Sequence, residues 1–244
     1  MHCAGIIIVV TVGLTGGLTG VASAQDLAVR LEEASVRYDT AAADTVLAEA
    51  VDAAKLEPST DHVLLVAKAA LLAAELRRIE WERLPESDSA QHRSLGGAID
   101  EAAEEGLRAL ESLSPDSEVH RLKADLLAVM IRSDYRAKKY RADMEEAATQ
   151  AVELDPANAR AYVSQAKPYV FAEPHEGGDP EAAINLLSKA LELDPDLESA
   201  RCLRGLAYDK AGEIEKARAD WALALENNPH CRPAKEELAR LDAE

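Results

Sequence analysis

The densest set of possible metal donors in this 244-residue chain is one short stretch, Glu173, His175, Glu176 and Asp179. Carboxylate oxygens and an imidazole gathered in this way are ligand types of zinc and related ions. The same residues also read as an acidic, solvated loop. Asp179 then caps a helix, Pro180 takes its first position and Glu181 faces its positive end. That reading needs no ion and is adopted. No HExxH, GxSxG, GxxxxGK[ST] or CxxC pattern occurs, and the six histidines are scattered. No catalytic residue, metal ligand or cofactor is therefore assigned.

Of the three cysteines, Cys3 lies near the start, which leaves Cys202 and Cys231 as a possible pair. In a stack of helices, the residue opposite Cys202 on the next first helix falls near Glu236. That is five residues past Cys231, or about 7.5 Å of helical rise. Neighbouring axes add about 8–10 Å, whereas a disulfide needs Cα atoms within about 7 Å. Two packed thiols rather than a disulfide are expected.

A basic segment stands out from the acidic background. Arg132, Arg136, Lys138, Lys139 and Arg141 cluster with Tyr135 and Tyr140. They could grip an acidic partner or an anionic headgroup. As cations at the end of a first helix, they would also cap its free carbonyls, and this second reading is preferred.

Net charge is −18, none of it in residues 1–24. An acidic protein of this kind does not bind nucleic acid through phosphates. Residues 1–24 combine the apolar run GIIIVVTVGL with Ala22-Ser23-Ala24 before Gln25. They resemble a signal peptide cleaved after Ala24, although the n-region has no Lys or Arg. Export to a periplasmic or extracellular space is expected. An uncleaved segment anchoring the chain to a membrane is the alternative.

From Gln25 onward the apolar periodicity is helical throughout, with breaks at Pro58, Pro115, Pro156, Pro195 and Pro229. Each proline disfavours helix at the residue before it and suits the first turn of a helix after it. The phrase Glu-Leu-Asp-Pro occurs at both Pro156 and Pro195, and Pro195 and Pro229 are 34 residues apart.

That period and the residues within it resemble the tetratricopeptide repeat. Residues 198–231 carry Gly205, Tyr208, Ala217, Trp221, Ala224 and Pro229 at the family's positions, and residues 159–197 carry Tyr162, Ala166, Tyr169, Ala183, Ala190 and Pro195. Arg201 and Arg204 replace large apolar residues, as in a terminal repeat with a wetter face. The resemblance implies an all-α helix-turn-helix solenoid spanning 25–244, with about five helix pairs and a capping helix near 232–243.

It also implies a concave surface lined by first helices. Arg160, Val163, Lys167 and Phe171 fall on that stripe, followed by Ser199, Cys202, Leu206 and Lys210. Mixed cationic and apolar groups suit a peptide carrying some negative charge. Family members that clamp a C-terminal carboxylate do so with Lys and Asn. Val163 and Cys202 stand at such a Lys position here, and Lys167 and Leu206 at such an Asn position, so that clamp is not expected. The resemblance implies a non-catalytic scaffold or adaptor that binds a protein or peptide, and the leader adds the expectation of export. A ligand-binding accessory subunit of a solute transporter is the first alternative, and a metal-dependent enzyme acting through the His175 loop is the second.

Overall fold

The computed structural model describes residues 22–243, so the leader before Ala22 lies outside the described residues. The chain forms eleven helices among the described residues, with a short 3-10 turn between the seventh and eighth. They are α1 (Ala24–Arg37), α2 (Thr40–Leu56), α3 (Thr60–Glu82), α4 (Ser89–Leu110), α5 (Ser117–Met130), α6 (Asp134–Leu154), α7 (Ala159–Phe171), α8 (Pro180–Leu193), α9 (Glu198–Lys210), α10 (Ile214–Asn227) and α11 (Arg232–Ala243). Five antiparallel pairs stack in sequence, with α11 following the last. None of the described helices is long and apolar enough to cross a membrane.

Local chemistry sets these boundaries. Ser23, Asp39, Ser59, Asp88, Asp116, Ser133, Asn158 and Asp179 each accept a first-turn amide with the side chain. This satisfies donors that a helix cannot pair internally. The repeated Asp-Pro phrase works through its acid as well as its proline. Asp155 accepts the Ala157 amide at 3.0 Å, and Asp194 accepts that of Asp196 at 3.2 Å. Asn228 does the same before Pro229, accepting from His230 at 2.9 Å. Three inter-pair corners are thus the same side-chain-closed turn.

Each buried cluster draws on neighbouring helices in the stack, as nearest-neighbour packing in a solenoid requires. Ala166, Ala183, Ala190, Ala217 and Ala224 are fully buried at helix contacts. Gly205 lies against the Trp221 ring, and a methyl there would come within 2.8 Å of two ring carbons. Gly106 of α4 is also tight, with Leu126 methyls 2.9 Å from where a Cβ would stand. Two signature residues sit differently from expectation. Tyr169 is 36% exposed, two residues before its helix ends. Arg204 makes no wet face. It is half-buried, donating to both oxygens of the buried Asp220 (2.7 and 2.8 Å) and to Ser188.

Candidate functional site

The first helices α1, α3, α5, α7 and α9 surround a cavity of about 820 Å³, with α6 and α11 contributing at its ends. Apolar side chains reach it half-exposed, among them Val36 (43%) and Phe171 (55%). Its wall carries nine carboxylates against five cations.

Most of the expected stripe faces this space. Arg160, Lys167, Phe171, Ser199, Cys202 and Leu206 all line it. Two positions are corrected. Val163 is 4% exposed and belongs to the core between α7 and α9, since it lies on the inner flank of α7 rather than on its concave crest. Lys210 is exposed at the last turn of α9, outside the cavity wall.

Lys167 needs a correction of another kind, because its charge is already used. Its Nζ lies 2.7 Å from Asp125 and 3.4 Å from Glu75. Asp125 also accepts from Arg121 at 2.7 Å, and both of these side chains are about 6% exposed. Burial alone would push the Asp125 carboxyl up, but Lys167 and then Arg121 hold it below its usual range. Burial likewise disfavours the Lys167 ammonium, and Asp125 and Glu75 more than restore it. The cluster is a buried ion network linking α3, α5 and α7.

Its outer member, Glu118, accepts from Arg121 at 2.7 and 2.9 Å and pairs with Lys68 at 3.2 Å. Burial raises the Glu118 pKa, but Arg121, helped by Lys68, prevails and holds it at about 2. An unfolded Glu titrates near about 4.3, so between these values the unfolded chain binds the extra proton. The contact's stability is complete above that interval and is lost as pH falls through it. The melting temperature should therefore drop as pH falls from about 4.3 towards about 2, and less steeply in Glu118→Gln. Equal acid dependence of the two proteins in thermal melts would exclude this role.

The basic segment is divided rather than gathered into a patch. Its residues open α6 instead of ending a first helix, since α5 stops at Met130. Arg132 and Arg136 both reach Asp100, at 2.8 and 2.5 Å, and also donate to carbonyls at the end of α5. Arg78, which the sequence did not single out, shares the Val129 carbonyl and donates to those of Ala128 and Ile131 as well. Cations do cap the first helix, then, but from outside it. Arg141 holds Glu176 at the cavity rim. Lys138 and Lys139 are exposed, with Lys139 over the Tyr140 ring.

The His175 loop disperses its donors in the same way. Asp179 caps α8, Glu176 is held by Arg141, and all four candidate ligands are exposed.

The two ends of the array meet, which no local pattern had indicated. Tyr38, the left-handed residue closing α1 (φ 55°), donates to Glu198 at 2.5 Å. Asn228 donates to the other oxygen of Glu198 at 2.6 Å and to the Val36 carbonyl at 3.2 Å. Arg232 donates to the Tyr38 carbonyl at 3.2 Å, and Arg83 pairs with Glu236. Burial and then the Glu198 hydrogen bond push the Tyr38 hydroxyl pKa up, so it remains a donor.

Cys202 and Cys231 lie at this seam with sulfurs 3.3 Å apart, both as free thiols. The expected separation fails because Cys231 is not in register on α11. It precedes that helix, and its amide donates to the Asn228 carbonyl, a turn that carries the side chain inward to full burial. The hydrogen bond to Cys231, then burial, pushes the Cys202 thiol up. Cys231 is shifted down by that bond, against burial and with help from the Ala234 amide.

Comparison with known proteins agrees with this architecture. The sequence profile described as TPR repeat matches residues 175–212. DnaJ homolog subfamily C member 3 of Bos taurus is 33% identical over 91 residues, or 37% of this chain; the match spans only 17% of that relative's length. The crystal structure of TTC0263, a thermophilic TPR protein in Thermus thermophilus, superposes with a TM-score of 0.57 at 17% identity, covering 89% of this chain and 98% of that one. YrrB, described as a TPR protein with an unusual peptide-binding site, gives a TM-score of 0.41 at 16% identity over 89% and 100% of the two chains. The fold is that of tetratricopeptide repeat proteins.

Proposed function

We propose that this solenoid is an exported, non-catalytic scaffold that holds a segment of a partner protein in its central cavity. The observation that carries the reading is the composition of the wall. Exposed Phe171 and Val36 offer apolar contact inside a ring of mostly acidic groups. Of the wall's cations, Lys167, Arg83 and Arg141 are already paired with carboxylates. The field inside is therefore negative. It favours a segment bearing apolar and basic side chains over the acidic peptide that the stripe alone suggested. Arg160 makes no ion pair among the described residues and can meet a carboxylate at one end of such a segment.

A photo-crosslinking residue at Phe171, compared with one at the exposed Leu223 outside the cavity, tests the site in the native host. The partner should crosslink from position 171 alone, and its crosslinked peptide should be basic. Glu32→Lys, which reverses a wall carboxylate that takes no part in the seam, should weaken capture at low ionic strength, less so as salt shortens the screening length to about 8 Å. Crosslinking from position 223 only would reject the cavity. Intact mass of the same preparation tests export, since cleavage leaves Gln25 first. It would also remove the Ser23 cap of α1, a contribution of about 1 kcal/mol.

The accessory-subunit reading retains one supporting observation. A cavity of about 820 Å³ falls within the size range of small-molecule sites, and a small molecule retained through native mass spectrometry would favour it.

A further inference from the structure

Glu198, Cys202 and Cys231 each place one donor atom within 4.8 Å of the others. Glu198 and Cys202 are one turn apart on α9, so their side chains share a face. Cys231 enters from the turn before α11 and completes the triangle, with its sulfur 3.3 Å from that of Cys202.

The carboxylate is held by neutral donors. Tyr38 Oη takes one oxygen at 2.5 Å and Asn228 Nδ2 the other at 2.6 Å. No Lys or Arg forms an ion pair with it among the described residues, whereas Glu236 at the same seam pairs with Arg83. A half-buried anion aimed at two adjoining sulfurs lacks its counter-charge. Fixing a ligand carboxylate by hydrogen bonds to its outer lone pairs is how metal sites orient such groups.

We propose that Glu198, Cys202 and Cys231 form a binding site for a thiophilic divalent cation of the zinc type. Cysteine sulfur and carboxylate oxygen are both ligand types of such an ion, and the paired sulfurs select for a thiophilic one. Glu198 and Cys202 line the cavity, so the fourth coordination position opens towards it. At metal–sulfur distances of about 2.3 Å in tetrahedral geometry, the sulfurs need to part by about 0.5 Å. Binding releases the two thiol protons to solvent and leaves two thiolates and one carboxylate on the ion. Because Tyr38 belongs to the first helix pair and the ligands to the last, occupancy is linked to closure of the seam. A disulfide between the same sulfurs would make no use of Glu198, and that difference separates the two chemistries.

Cobalt(II) serves as the spectroscopic probe. Full-length, tag-free protein is reduced under anaerobic conditions, both thiols are confirmed by thiol titration, and cobalt is added. A sulfur-to-cobalt charge-transfer band should grow to saturation at one equivalent and be displaced by zinc. Cys202→Ser and Cys231→Ser should abolish it. Glu198→Gln keeps the shape and one acceptor for Asn228, while its amide can donate to the Tyr38 hydroxyl instead of accepting from it, so folding can be verified by circular dichroism. Its affinity should fall by about 10–100-fold or more, and that of Tyr38→Phe by about tenfold. No band in the reduced, folded protein overturns the proposal, as does undiminished affinity in Glu198→Gln. Protein isolated with a Cys202–Cys231 disulfide that binds no cobalt once reduced also overturns it, and assigns the sulfurs to a crosslink.

Discussion

Lys167→Met should destabilise the fold by about 3–5 kcal/mol, the range for removing one partner of a buried ion pair. Methionine is one atom shorter and keeps most of the apolar stem, so little packing is lost. What remains is the Asp125 carboxylate, about 6% exposed, with Arg121 as its one cation. Glu75 also loses its contact. Native domains are stable by only about 5–15 kcal/mol, so the variant sits near the edge of folding. Adding Asp125→Asn should recover part of the loss, because the uncompensated charge disappears and Arg121 still holds Glu118 at 2.7 and 2.9 Å. Urea denaturation of the single and double variants checks both statements. A loss below about 1 kcal/mol for Lys167→Met would place that lysine among surface ion pairs and remove the network.

The second large effect centres on Trp221, which is 1% exposed and donates to the Cys202 carbonyl at 3.1 Å. Trp221→Ala should lose about 3–5 kcal/mol. Gly205→Leu should lose about 1–3 kcal/mol or more through overpacking, since even a methyl there meets the indole ring. Glycine is a poor helix former, so leucine regains most of a kcal/mol without reversing the sign. The double variant is the sharper test. Leucine at 205 grows into the volume vacated by the indole, so the combined loss should be clearly less than the sum. Additive losses would mean that the two residues do not share this space, and the helix pairing of the last repeat would be wrong.

Such pairings were legible in the sequence because they are local. Gly205 and Trp221 are 16 residues apart, and the Asp-Pro corners punctuate the chain by short-range sterics and side-chain turns. Gly106 performs the same service between α4 and α5, but it lies in a stretch with no recognisable phrase around it, so its role could not be read. Lys167 was placed on the correct face with the wrong role. A lysine at a concave position looks the same whether it meets solvent or a buried aspartate on another helix. The cysteine spacing argument failed because it treated Cys231 as a helical residue, whereas Asn228 folds it inward ahead of α11. The seam was out of reach altogether. Tyr38 and Glu198 are 160 residues apart, and their meeting depends on the superhelical rotation accumulated over every intervening pair.

A solenoid with free ends behaves as a spring, opening and winding in small increments shared along its length. Fastening the first turn to the last through Tyr38, Glu198, Asn228 and Arg232 turns the spring into a hoop. A hoop distinguishes guests by topology as well as by chemistry. A flexible tail with a loose end can slide in end-first while it stays fastened, whereas a loop tethered at both ends enters more readily once the fastening lets go. Loops and cyclised peptides should therefore associate more slowly than linear peptides of the same sequence, at a rate set by unfastening.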